Sequence, residues 1–319
     1  MTPGDQRLVH GVLRAHPDLI HVVNTVHGGD WDGARQFLDE LTTSSDRTFV
    51  VIALAEVDAG STMLRAAAEH DPWAACVLAR RCIRAAVAAR GHGSAAVLSQ
   101  QQIDEHRRHS IEAEQILTRT VARHPDFAEA WVARLTTGRR LGLDRSEARR
   151  RWQRVSQLAP DNFWAHTEML QYWCPKWYGS WDDVEQFVGE AVAAAPAGSP
   201  LRALPAYVEI ERWAQLEHPA AGEYFLGPGS MGRVWSAARE SVGHPSYVET
   251  YGWPELEGVF GLIMCLGKQF PQADGHLQRL GDIAPDFPWS YLGDDPQHQL
   301  NLHRGDVARS LASMGRGRK

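Results

Sequence analysis

Apolar residues along this chain fall at helical spacing in a pattern that recurs. A small or β-branched residue is followed four positions later by a large apolar one. Three positions on comes another mostly apolar residue, and five after that a proline. The pattern reads Ala113-Leu117-Thr120-Pro125, Ala148-Trp152-Val155-Pro160, Val184-Val188-Ala191-Pro196 and Ala273-Leu277-Leu280-Pro285. Steps of four and three mark one face of a helix, and proline, which has no N–H to continue the ladder, ends it. Gly60-Leu64-Ala67-Pro72 is a looser copy, and Ala34-Leu38-Leu41 has Asp46 in place of the proline. Arg233-Ala237-Glu240-Pro245 keeps little beyond the proline.

Between these segments lie other helical stretches: Trp73 to Arg90, Phe127 to Leu141, Phe163 to Cys174 and Pro254 to Phe270. Gly91, Gly142 and Pro175 supply the stops expected after the first three. Each stretch and the segment after it form one predicted hairpin. Such a hairpin cannot bury its apolar face alone, so it stacks on its neighbours. Other features predict irregularity. An insertion runs from Gly91 to Gln102, before a helix of about 20 residues ending near Arg123. Pro205 predicts a kink or a late helix start within Leu201 to Leu216. The glycine-rich stretch Gly222 to Gly232 predicts a loop or a break. Thr48 to Ala55 has strand-like composition, but Ser45 or Asp46 can cap it as a helix.

The interval from Pro125 to Pro160 is 35 residues and from Pro160 to Pro196 is 36. A tetratricopeptide (TPR) unit is about 34 residues with an A-x3-F…P pattern in its second helix. On this spacing the chain resembles TPR-like helical-repeat proteins. The element Cys174-Pro175-Lys176-Trp177-Tyr178-Gly179-Ser180 with Trp181-Asp182-Asp183, and Phe287-Pro288-Trp289 with Asp294-Asp295-Pro296, are similar to an actinobacterial family of undefined function. The resemblance covers residues 60–310, although the first helices lack the W-x2-L-G-x2-Y signature. It implies an all-α, right-handed α-solenoid of antiparallel helix pairs that binds a protein or peptide on its concave surface, with no chemistry attached. The expected organisation is an irregular helical cap over residues 1–59, a main array over 60–221, further repeats over 222–310 and a flexible basic tail over 311–319.

The family pattern points Arg80, Arg139, Trp164, Thr167, Glu168 and Gln171 inward as partner-binding residues. Trp164 would be a peptide anchor near the start of a first helix. Twelve tryptophans are many for 319 residues; Trp173 and Trp177 read as packing between helices. Ser180 has capping-box spacing to Asp183, and Gly179 would allow a tight turn before it.

A net charge of −6 argues against a general nucleic-acid binder. Arg134, Arg139, Arg140, Arg145, Arg149, Arg150, Arg151 and Arg154 crowd one region against Asp144 and Glu147. They leave an acidic peptide or RNA open as partner, but Arg149, Arg150 and Arg151 also suit a solvated helix face. No apolar run is long enough to span a membrane, and the first residues lack a signal-peptide core, so a cytoplasmic location is expected.

Cys76, Cys82, Cys174 and Cys265 sit in apolar helical contexts and read as reduced, buried thiols. No catalytic motif, metal-ligand set or cofactor fingerprint is present. His106, His109 and Glu112 share a helix face and support the alternative, an accessory or tailoring enzyme (or peptide-responsive regulator) with a pocket in the array.

Overall fold

Six helix starts in the first part of the chain are set by side chains that receive the unpaired N–H groups of a first turn. Asp30, Thr43, Asp71, Ser99, Asp144 and Asn162 each accept such a bond. Ser99 and Gln102 form a reciprocal capping box. A computed structural model describes residues 13–91 and 98–316. Every regular element among them is helical, and no strand occurs among the described residues. None of these helices is long and apolar enough to cross a membrane. The chain divides into two compact units, residues 1–180 and 181–319.

The first unit contains α1 (Leu19–His27), α2 (Trp31–Glu40), α3 (Ser44–Ala55), α4 (Ser61–Ala67), α5 (Pro72–Arg90), α6 (Gln100–Arg123), α7 (Ala128–Leu141), α8 (Arg145–Leu158) and α9 (Phe163–Trp173). The repeated spacing marks buried faces: Leu64, Ala113, Leu117, Thr120, Ala148 and Val155 are all buried, while Trp152 is half-buried. Helices α5 and α6 are antiparallel. Gln102, at the start of α6, donates to the carbonyl of Arg90 at the end of α5 (3.2 Å). Arg123, at the other end of α6, donates to the carbonyl of Glu69 just before α5. Further packing joins α6 to α7, α7 to α8, α5 to α7 and α7 to α9. Gly142 ends α7 at φ 70°, a left-handed conformation that glycine adopts without strain. At Gly179 the constraint is space: a Cβ there would lie 2.2 Å from the carbonyl oxygen of Trp173.

The segment with strand-like composition is the helix α3, as expected, but Thr43 caps it rather than Ser45 or Asp46. Its placement has no counterpart in the sequence pattern. Helix α3 packs against α5, α7 and α9 together. Asn162 Nδ2 donates to Ser44 Oγ (2.6 Å) and Thr48 Oγ1 (2.9 Å), while its Oδ1 receives Ala165 N–H (2.9 Å). The backbone N–H of Phe163 donates to Ser45 Oγ (3.0 Å). The N-terminal helices therefore do more than close one end of a stack, because one of them lies across three later helices.

The second unit contains α10 (Trp181–Ala194), a 3₁₀ turn (Pro200–Ala203), α11 (Leu204–Trp213), α12 (Ala220–Glu223), a second 3₁₀ turn (Tyr224–Leu226), α13 (Pro228–Glu240), α14 (Trp253–Leu266), α15 (Phe270–Leu280), α16 (Asp286–Trp289) and α17 (Pro296–Arg316). The 3₁₀ turn before Leu204 is the late start that Pro205 requires. The stretch Gly222 to Gly232 is helical over most of its length, not a loop. Pro228 occupies a first-turn position, where its missing N–H costs nothing, and α13 runs through Gly229 and Gly232. Helix α17 continues to Arg316, well into the segment expected as a flexible tail. Within this unit α14 packs on α11, α15 and α16, and α15 packs on α17. The proposed insertion between Gly91 and Gln102 falls mostly on residues 92–97, and the N-terminal reading on residues 1–7; both lie outside the described residues, as do the last three residues of the tail.

Candidate functional site

The arginines crowded between residues 134 and 154 are mostly held by the protein itself. Arg151 donates to Glu114 through Nη2 (2.7 Å) and Nη1 (3.1 Å) and to Glu147 through Nε (2.7 Å). Its side chain is only 3% exposed, so it is no part of a solvated face. Arg134 also binds Glu114 (2.8 Å), and Thr137 Oγ1 donates to the same carboxylate. Arg150 pairs with Glu147 at 2.7 and 2.8 Å. Burial alone would raise the Glu114 carboxyl, but its hydrogen bonds and Arg151 hold it below the ordinary range. The hydrogen bond from Arg150 leads in bringing Glu147 down to about 2. Arg145 and Arg149 lie over the Trp173 ring at 5.0 and 5.5 Å, and Arg154 is joined to Asp126. Much of this positive charge is consumed inside the fold.

A second cluster is not balanced in this way. Arg139 and Arg140 end α7, where cations suit the helix dipole. Arg139 grips Glu168 of α9 at 3.1, 3.2 and 3.3 Å, and its guanidinium lies 4.7 Å from the centre of the Trp177 ring. Arg80 of α5 is buried, and its Nη1 donates to Thr136 of α7 (3.0 Å). Arg140 has a buried Nε with no hydrogen-bond partner. Burial leads in lowering its pKa to about 10, and the like charges of Arg139, Arg80 and Arg90 add to it against the opposing pull of Glu168. The guanidinium is therefore still a cation at neutral pH. Burial also pushes the Glu168 carboxyl up, but Arg139, Arg140 and Arg80 outweigh it and bring it down. Three arginines thus share one carboxylate, whose side chain keeps 21% exposure to solvent. Burial likewise leads in lowering the His106 pKa, with Arg140 and Arg90 adding repulsion. This cluster is net positive and largely desolvated, with Glu168 half-buried, a combination that favours anions.

Of the residues expected to bind a partner, the structure brings Arg80, Arg139 and Glu168 together. Trp164 is half-buried, with its ring 5.8 Å from Phe49 of α3 and 5.5 Å from Phe163. The face expected to hold a foreign aromatic anchor is met there by the chain's own helix. Thr167 is half-buried and donates to the carbonyl of Trp164 (3.0 Å), and Gln171 lies one turn further along α9, also half-buried. The partner-binding set read from sequence lacks Thr136, and it leaves Arg140 to the arginine-rich stretch. Their signal was available: Thr136 and Arg140 are four residues apart, on one face of the helix that carries Arg139.

The enzyme alternative rested on His106, His109 and Glu112. His109 Nδ1 is 3.8 Å from Glu112, which also faces Arg65 at 3.8 Å. Among the described residues no group of three or more His, Cys, Asp or Glu side chains could hold a metal ion. No disulfide joins the four cysteines, and burial pushes Cys76 strongly upward and Cys82 and Cys265 up to about 12. Comparison of the chain with family models, with curated proteins and with solved structures finds no match in any of the three.

Proposed function

We propose that the chain is a helical-repeat scaffold in which α4 to α9 stack in the manner of a solenoid and bind an acidic protein segment in the Arg80–Arg139–Arg140 basin. The observation that supports this most is the buried Nε of Arg140, a charged group with no partner on a surface that holds only one carboxylate against three guanidinium groups. An arriving carboxylate would form charge-assisted hydrogen bonds there without first displacing an internal ion pair of Arg140. The occupant is an extended acidic stretch rather than one held by an aromatic anchor, because Phe49 of α3 already packs against Trp164.

The test uses deca-glutamate as probe and deca-glutamine as control, with fluorescence anisotropy over a salt series. The acidic peptide should bind and the neutral one should not. Arg140→Ala should weaken binding about tenfold. Affinity should fall as salt rises. Equal binding of the two peptides, or an Arg140→Ala variant that binds as well as the parent, would remove this reading. Binding of a single-stranded RNA in preference to deca-glutamate would replace the acidic protein segment with a nucleic acid.

A further inference from the structure

The second unit has a cleft of its own, of about 390 Å³, and nothing in the reading above uses it. One wall is α13 with the residues just after it: Trp235, Ala238, Arg239, Val242 and Gly243. The other wall is α15, through Gln272, Gly275, His276 and Arg279. The intervals of three and four on each helix place these residues on one face. Glu257 of α14 is the one lining residue from a third helix.

Three features set this cleft apart from an ordinary groove between helices. The first is a buried, oriented polar pair. Glu257 is 1% exposed, accepts from His276 Nδ1 at 2.6 Å, and lies 3.2 Å from Arg279 Nε. A carboxylate accepting from Nδ1–H keeps the proton on that nitrogen, and in the neutral tautomer this leaves the lone pair on Nε2. His276 Nε2 makes no hydrogen bond among the described residues. The second is an available cation beside an open aromatic face. Trp235 is 37% exposed. Arg239 lies one helical turn away, has no carboxylate within 4.0 Å among the described residues, and reaches only Ser236 Oγ at 3.5 Å. Arg279 differs, being paired with Glu249 as well as Glu257.

The third is Gly275. Glycine inside a helix costs about 0.5–1 kcal/mol relative to alanine. Gly258 and Gly261 of α14 have a packing reason, since a Cβ would meet Pro285 at 2.9 Å in the first case and Leu277 at 3.3 Å in the second. A Cβ on Gly275 would meet nothing within 4 Å, as at the helical glycines Gly189, Gly229 and Gly232, but Gly275 lines the cleft. A side chain at that position would enter the cavity.

We propose that this cleft binds a small planar organic anion, with Trp235 as its stacking surface, Arg239 as the cation for its anionic group and His276 Nε2 as acceptor for an N–H or O–H of the ring. The volume is at the lower end of the range for small-molecule sites, which limits the occupant to one or two rings. The anionic group is a carboxylate or a phosphate, and this site stands or falls independently of the arginine basin in the first unit.

The experiment is ligand-observed NMR on the full chain with three probes: indole-3-carboxylate, 4-hydroxybenzoate and adenosine monophosphate. Their neutral counterparts, the two amides and adenosine, serve as controls. At least one anion should bind with a Kd below about 1 mM, and its neutral counterpart should bind about tenfold more weakly. Which anion binds separates carboxylate from phosphate. Gly275→Leu should abolish the signal while Tm stays level or rises, because leucine favours the helix and has room. Arg239→Ala should weaken binding about tenfold with Tm unchanged. The proposal is overturned if no anion binds, or if the bound anion is indifferent to both substitutions. A fall in Tm for Gly275→Leu would shift the decision to Arg239→Ala, whose exposed side chain tests the same site without a packing change.

Discussion

Two arginine clusters flank α7 and resolve the same electrostatic problem in opposite ways. Arg134, Arg150 and Arg151 each meet a carboxylate, Glu114 or Glu147, at 2.8 Å or less. Arg80 and Arg139 are about as buried as Arg134 but share Glu168 with the half-buried Arg140, which has no carboxylate within 4.0 Å among the described residues. Burial of an arginine therefore says little about binding. On the function proposed above, what would separate a structural joint from a receptive surface is whether each guanidinium already has its anion.

The comparison can be broken most decisively at Glu114. Glu114→Ala strips Arg134 and Arg151 of their common partner and leaves the almost fully buried Arg151 with Glu147 alone. It should destabilise the fold by about 3–5 kcal/mol in urea unfolding. A loss under about 1 kcal/mol would mean that the balanced cluster is no joint.

A second test uses an uncompensated anion on the same helix. Glu129, at the start of α7, is 5% exposed, and burial lifts its pKa from 4.5 to about 7. Between those values the folded chain holds a proton that the unfolded chain has released, so folding stability falls as pH climbs through that window. Glu129→Gln removes the term. The variant should be more stable than the parent by roughly 3 kcal/mol near pH 8, with the difference vanishing below about pH 4.5. A pH-independent difference would contradict the assignment.

The smallest effect is expected at Arg140 itself. Arg140→Ala removes a cation that the fold does not neutralise, so stability should change by less than about 1 kcal/mol, in either direction. A loss as large as that of Glu114→Ala would make the second cluster a joint like the first and remove its claim to bind anything.

Much of the helical framework could be read directly from residue order. Pro72, Gly91, Gly142 and Pro160 punctuate α5, α7 and α8 because chain-breaking chemistry is local. The buried faces followed from intervals of three and four for the same reason. Arg151 shows where that reading stops. Beside Arg149 and Arg150 it looks like one more solvated cation, and its burial depends on Glu114, 37 residues away. Trp164 shows the same limit, since its neighbour Phe49 comes from a helix that no interval connects to it. The cleft in the second unit was obscured by the very regularity that revealed α15. Attention to Ala273, Leu277 and Leu280 leaves Gln272, Gly275, His276 and Arg279 as the unremarked flank beside them.

The crossing of α3 over later helices also sets a timetable. Ser44 and Asn162 are 118 residues apart. At ribosomal rates of about 5–20 residues per second, ~6–24 s separates the synthesis of the two. Until α9 has been made, the latch that fastens Ser44, Ser45 and Thr48 has no counterpart. Nascent chains stalled before residue 162 should therefore be the protease-sensitive and chaperone-bound ones, and release of that sensitivity should coincide with emergence of α9 from the exit tunnel.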